Sequence, residues 1–332
     1  MENQKIILKE NLTSNIKKFD SKKLCFMVKS NAYGHGLEDI VELVEPYANY
    51  FGVANVEEAI RVRKISKKPI LVVGHLPNLK LCAKHDIEFM IDDEISLKSA
   101  INFNLQDKCH LKINCGMNRF GVNSELNMKI LDNIMNEKNV VLKSVYTHFP
   151  NTIGPRQTQE NYQRFLRIKK SLSQNPPICL GGSGVIDFDF DYDILRLGIG
   201  LYGYGKKNLK PVMQIRSYVC KTFYVKAGEY VGYGHNFYAE SDGKFAVVPV
   251  GYGDGLSRRL SGKICVEIIG KKYPIIGSIC MDAFFVKIDE KVKVGDSVIV
   301  MQDAEVFAKK LGTISYEVLT GFSNFRGKIK TE

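Results

Sequence analysis

The feature that most constrains the fold is a rhythm. Up to Gly205, short apolar runs recur at regular intervals: Leu24–Val28, Tyr50–Ala54, Ile70–Gly74, Glu88–Ile91, His110–Asn114, Ser144–Phe149, Ile178–Gly181 and Ile194–Ile199. Runs of this kind read as strands buried on both faces, as in parallel sheets. Between them lie stretches such as LEDIVELVEPY, VEEAIRVRKI and NYQRFLRIKKSL, whose apolar residues fall at helical spacing. Eight strand–helix units is the count of a closed (β/α)8 TIM barrel. An open doubly wound sheet is the alternative, but the glycine-rich phosphate fingerprint it needs after its first strand is missing.

After Gly205 the texture changes. SYVCKTFYVKAGEYVGYG, KFAVVPVGYGDG, KICVEIIGKKYPIIGSICMDAFFVKID and KVGDSVIVMQD are short β-rich runs divided by Gly and Asp turns. Helical patterning returns near the end, at Val306–Leu311 and Ser315–Thr320. The reading is a barrel over residues 1–215 and a second, mostly antiparallel β domain over residues 216–332.

Composition removes several classes of function. No apolar run approaches the length of a membrane span. The opening MENQKIILKE lacks the apolar core of a signal peptide, so a cytoplasmic protein is expected. The eight cysteines include no C-x-x-C pair and lie mostly in apolar runs, which points to reduced core thiols and to no bound metal. The formal charge of +11 raises nucleic acid as a partner, but the Lys pairs are scattered and no nucleic-acid motif accompanies them. An anionic small ligand would also welcome that field.

In a TIM barrel the reactive groups gather at the C-terminal ends of the strands. Lys29 stands at the end of the first strand, Arg119 follows the fifth and His148 closes the sixth. Glycine-rich segments end the seventh (Gly181-Gly182-Ser183) and the eighth (Leu197-Gly198-Ile199-Gly200), where such barrels often hold phosphate. By position alone Lys29 is either a surface lysine with its stem laid along apolar neighbours or a Schiff-base lysine made nucleophilic by burial. Pyridoxal phosphate would satisfy both the lysine, with its aldehyde, and the glycine amides, with its phosphate.

The segment VKSNAYGHG closely resembles the pyridoxal-lysine motif of alanine racemases. The resemblance continues in order through LKINCGMNRFG, THF, LRLGIGLYGYG, VPVGYGDG, GSICMDAF and ISYEVLTGFSNFR, nearly the whole chain. It implies a fold-type III enzyme, a barrel followed by a β domain. It implies that Lys29 carries pyridoxal phosphate and acts as one of two bases. The other is Tyr252, contributed by the second subunit of a homodimer whose active sites are shared. A tyrosine titrates near pH 10 unless its surroundings are cationic, and the family's relay toward it is His148 and Arg196.

The resemblance also places Arg196 against the pyridine nitrogen. Because an arginine does not give up its proton, the ring stays a weak electron sink and transamination is discouraged. Tyr33, Ser183, Gly198, Ile199 and Tyr316 are implied as phosphate contacts, with His148 also beside the cofactor. Arg119 is implied to bind the substrate carboxylate or the cofactor's phenolic oxygen. Lys112 matches a lysine that many members carry as a carbamate. Met281 is implied to approach alanine from the other subunit. One departure stands out: Gly182 occupies the position where the family usually has Asn. The activity implied is interconversion of L- and D-alanine for peptidoglycan. A serine or broader small amino-acid racemase is the alternative, since one hydroxyl is hard to exclude by packing.

Overall fold

The computed structural model describes residues 2–19, 22–75, 77–150, 152 and 154–332. The first strand, β1 (Gln4–Ile7), stands outside the barrel. The next eight, β2 (Lys23–Met27), β3 (Tyr50–Val53), β4 (Ile70–Val72), β5 (Glu88–Ile91), β6 (Cys109–Lys112), β7 (Ser144–His148), β8 (Ile178–Gly181) and β9 (Ile194–Leu197), form a closed barrel. Closure is made by parallel pairing of β9 back onto β2, with Leu24 opposite Leu195 and Phe26 opposite Leu197. These are the eight runs read from the sequence, shifted by a residue or two at their ends.

Helices Leu37–Val44, Val56–Arg63, Leu79–His85, Glu94–Asn102, Glu125–Glu137 and Pro155–Lys169 follow β2 to β7 in turn. Several begin on side chains that accept a hydrogen bond from an otherwise unpaired amide of the first turn. Asn55 takes that of Glu58, and Ser124 that of Asn127. The expected rhythm breaks at its last step. The connection from β8 to β9 carries only a single 3-10 turn, Val185–Asp187. The strand count of eight thus holds, but the count of strand–helix units does not.

The second region is one nine-stranded sheet. Its later strands are β10 (Met213–Tyr218), β11 (Lys221–Val225), β12 (Gly243–Val248), β13 (Cys265–Ile268), β14 (Lys271–Ile276), β15 (Phe284–Ile288), β16 (Ser297–Met301) and β17 (Lys328–Thr331). Their order is β11-β12-β15-β14-β13-β16-β10-β1-β17. The two ends of the chain therefore lie side by side, β1 pairing antiparallel with β10 and parallel with β17. The tight β13–β14 hairpin turns through Ile269 and Gly270, both at positive φ (49° and 70°), which matches the twist of the flanking strands. Helices Ala304–Leu311 and Ser315–Gly321 close the chain before β17.

One apolar core runs from the barrel into this sheet, through residues such as Phe26, Leu197, Met213, Val248 and Phe284. A smaller cluster of Val225, Val231, Ala239, Phe245 and Ile276 fills the far end of the sheet. Five of the eight cysteines are buried and all eight are free thiols; Cys265 is exposed.

Candidate active site

Two residues past β2, the chain after Lys29 makes an unusual turn. Ser30, Asn31, Ala32 and Tyr33 all hold left-handed backbone angles, with φ between 52° and 55°. Four consecutive non-glycine residues there are costly unless the surroundings over-determine them. Several contacts do so. The Ser30 amide donates to Glu58 Oε1, and Asn31 Oδ1 accepts from the Leu37 amide at 3.0 Å. Lys5, 1% exposed, donates from Nζ to the carbonyls of Gly34 (2.6 Å) and Phe322 (2.8 Å). This staples the turn to the end of the helix that bears Tyr316. Nothing in the sequence marked Lys5.

The turn delivers Lys29 and Tyr33 to a cavity of about 180 Å³ at the C-terminal mouth of the barrel. Ten of the residues named from the sequence line it: Lys29, Tyr33, Lys112, Arg119, His148, Ser183, Arg196, Gly198, Ile199 and Tyr316. They come from both ends of the chain and from the ends of β2, β6, β7, β8 and β9.

One corner is built for close approach. A Cβ at Gly198 would stand 2.8 Å from the Tyr33 hydroxyl, so only glycine leaves room there. Ser183 Oγ accepts from the Gly200 amide at 2.9 Å, which fixes its hydroxyl beside the same loop. The rings of Tyr33 and Tyr316 meet with centroids 5.9 Å apart. The neighbouring Gly182 has φ +123°, a conformation that disfavours the asparagine usual at this position.

On the opposite side the cavity is cationic. Arg196, 4% exposed, donates to the carbonyls of Cys179 (3.1 Å) and Thr147 and lies over the Tyr146 ring at 4.5 Å. A Cβ at Gly181 would fall 2.1 Å from Arg196 Nη2 and 3.1 Å from His148 Nδ1, so this glycine lets the two groups approach. Lys112 Nζ sits 5.1 Å from the Phe120 ring and 5.8 Å from that of Tyr146. Among the described residues, none of Lys29, Lys112, Arg119 and Arg196 forms an ion pair with a carboxylate.

Burial and crowding of like charge set the protonation states. Burial, then Arg119 and Arg196, pull the Lys29 ammonium below its ordinary pKa, against a weaker opposing pull from Glu58. Burial with Arg196 and Arg119 pushes Lys112 down to about 8. His148 is pushed down to about 3 by burial and by Arg196, Arg119, Lys112 and Lys29, so its imidazole is neutral at ordinary pH. The result is a Lys29 biased toward its neutral amine and a set of basic groups short of anions. A phosphate, a phenolate and a carboxylate would supply those anions, and the glycine-lined corner admits a phosphate against backbone. The residues present fit pyridoxal phosphate.

Two named residues are elsewhere. Tyr252 and Met281 do not line this cavity, and they are 43% and 53% exposed. They are instead held to each other. The Tyr252 amide donates to the Cys280 carbonyl at 3.0 Å, and the Gly253 amide to that of Met281 at 2.9 Å. Arg326 grips Asp254 through Nε (2.8 Å) and Nη2 (3.0 Å) and reaches Asp282 at 2.7 Å. The YGD turn and the CMDAF loop thus form one rigid platform facing outward.

Tyr146 also lines the cavity and was missed by the sequence reading. The signal was available. In a strand, residues two apart share a face, so the named His148 implicates Tyr146 on the same side.

Comparison with known proteins identifies the family. The family model described as alanine racemase, N-terminal domain, matches residues 7–206, and that for the C-terminal domain matches residues 212–329. The chain is 33% identical to an alanine racemase of Francisella philomiragia, over 95% of this chain and 96% of the relative. The crystal structure of alanine racemase from E. faecalis superimposes with TM-score 0.92 at 26% identity, covering 100% of this chain and 98% of that one. The Bartonella henselae alanine racemase solved with covalently bound pyridoxal phosphate has TM-score 0.89 over 99% of both chains, a likeness of fold at 24% identity. With family models matching both regions and a relative one third identical along its length, the chain belongs to the alanine racemase family.

Proposed function

We propose that the chain is a pyridoxal-phosphate-dependent alanine racemase that acts as a homodimer with shared sites, supplying D-alanine for the cytoplasmic synthesis of peptidoglycan. The observation that carries this reading is the split between the two half-sites. Lys29, the glycine-lined corner and three further basic side chains, Lys112, Arg119 and Arg196, meet in one cavity, while Tyr252 and Met281 stand exposed outside it on a shared platform.

When bound, pyridoxal phosphate supplies an electron-withdrawing ring that acidifies the substrate's Cα–H. The chain's own residues do the rest. Tyr33, Ser183, Gly198, Ile199 and Tyr316 bind the phosphate. Arg196, whose guanidinium is fixed by the Cys179 and Thr147 carbonyls, would face the ring nitrogen and, because it does not give up a proton, would leave that nitrogen unprotonated. Arg119 holds the alanine carboxylate. Lys29 Nζ, kept available as an amine by burial, moves a proton on one face of Cα, and Tyr252 from the second subunit moves one on the other. The neutral His148, beside Arg196, helps hold that tyrosine's oxygen. The Met281 backbone bounds the substrate from the second subunit, and Lys112 is the lysine open to carbamate formation.

Borohydride reduction followed by peptide mapping tests the centre of this reading. The cofactor should be fixed to Lys29; finding it on another lysine overturns the assignment. A D-amino-acid assay with alanine and serine side by side sets the substrate. Serine turnover equal to that of alanine would move the reading to a broader racemase.

A further inference from the structure

One polar group in the cavity is left without a partner. Tyr146 is 1% exposed, and its hydroxyl forms no hydrogen bond among the described residues. Desolvation of a buried hydroxyl without a partner costs about 1–3 kcal/mol, and most such groups in folded proteins are satisfied. Burial also raises the phenol's pKa, so the oxygen keeps its proton and can donate. Among the charged groups around it Arg196 acts most strongly, with Cys179, Asp92 and Arg119 behind it, and none of them takes its hydrogen bond among the described residues. The Arg196 guanidinium lies 4.5 Å from the ring centroid and Lys112 Nζ 5.8 Å. A neutral donor beside Arg196 and Lys112 lacks an acceptor within reach, and an anion is the acceptor those two cations would also hold.

We propose that the Tyr146 hydroxyl donates a hydrogen bond to a carboxylate-class anion held beside Lys112. This rests on the reading above that the cavity binds cofactor and amino acid. Two sources offer the same planar pair of oxygens. One is the carboxylate of the substrate. The other is a carbamate on Lys112 itself. There the neutral amine adds to the carbon of dissolved CO2, an N–C bond forms, one C=O electron pair moves to oxygen, and a proton leaves nitrogen for water. The lowered ammonium pKa of Lys112, about 8, keeps a share of that amine neutral. In both cases Tyr146 is a positioning residue that orients the anion toward the cations.

The test is Tyr146→Phe, measured as apoprotein and as loaded enzyme. Deleting an unpartnered hydroxyl should leave the apoprotein Tm unchanged or raise it. It should lower kcat/KM of the loaded enzyme roughly ten- to hundred-fold, the worth of one hydrogen bond to a charged group. NMR in 13C-bicarbonate separates the sources. A protein-bound carbonyl resonance that is absent in Lys112→Ala and weakened in Tyr146→Phe identifies the carbamate. With no such resonance, acetate should compete with alanine and bind more weakly to Tyr146→Phe. Unchanged kcat/KM, 13C signal and acetate inhibition in Tyr146→Phe would overturn the inference. So would a clear fall in apoprotein Tm, which would reveal a partner within the chain. If the wild-type chain takes up no cofactor, the failure belongs to the proposed function instead, and it shows before any variant is made.

Discussion

The barrel cavity and the Tyr252 platform differ in what each lacks. In the cavity, buried Lys112 and Arg196 stand with Lys29 and Arg119, and among the described residues none is paired with a carboxylate. The platform has its charges matched, Arg326 gripping Asp254 and Asp282, yet it leaves a tyrosine and a methionine in solvent. One region is covered but electrostatically unfinished; the other is electrostatically complete but uncovered. A buried cation without a counter-charge is costly, and adjacent exposed apolar groups mark a contact surface. Each region needs what a ligand or a second copy of the other region would bring.

The largest expected effect separates the two directly. Lys29→Ala and Tyr252→Phe should each lower racemisation by about a thousand-fold, the middle of the range for loss of a positioned acid–base group. Only Lys29→Ala should lose the cofactor that borohydride fixes, because Tyr252 lies outside the cavity that would hold it. Loss of that cofactor in Tyr252→Phe as well would break the division of labour.

Next is Arg196→Glu, which reverses the charge facing the ring nitrogen. Racemisation should fall by about a hundred-fold, in line with removal of one preorganised electrostatic group. Transamination, read as accumulating pyruvate and pyridoxamine phosphate, should rise. A variant that holds no cofactor would make Arg196 a scaffold residue, with no part in tuning the ring.

The remaining effect is on stability. His148 and His35 are both pushed down to about 3, first by burial. The unfolded chain accepts these protons below about pH 6.5, where the folded chain refuses them, so protonation favours unfolding. Apoprotein stability should therefore fall as pH drops from about 6.5 toward 3, by up to about 1.4 kcal/mol per pH unit for each group. Bound cofactor brings anions to the cations around His148 and should shallow this slope, as pH-dependent melting of the apo and loaded forms would show. An equal slope in both would mean that the cavity cations do not govern His148.

Legibility in the sequence followed burial. The eight barrel strands were readable because strands buried on both faces are continuous apolar runs, as in KLCFM and ILRL. The outer strands were not. QKII and KIKT are short and half polar, and they pair with each other across the whole length of the chain. No local pattern encodes such a partnership. The β8–β9 crossover looked like the others in rhythm but holds only a 3-10 turn.

At the site, ten residues carried by motifs line one cavity and two, Tyr252 and Met281, stand outside it, whereas residues defined by context were missed. Lys5 matters because two carbonyls, those of Gly34 and Phe322, converge on it. Tyr146 matters because no described residue meets its hydroxyl. Both are properties of the packed chain. The left-handed turn from Ser30 to Tyr33 is of the same kind, since only its docking contacts make that backbone tolerable.

The central claim is that the cavity and the platform of different subunits complete one site, and subunit exchange tests it most directly. Lys29→Ala and Tyr252→Phe chains are mixed and exchanged, with exchange followed by native mass spectrometry. In each mixed dimer one site carries both defects, and the other joins an intact Lys29 to an intact Tyr252. Random exchange makes about half of the dimers mixed, so activity should return to roughly a quarter of the wild-type value. Complete exchange with no recovered activity would contradict the shared site.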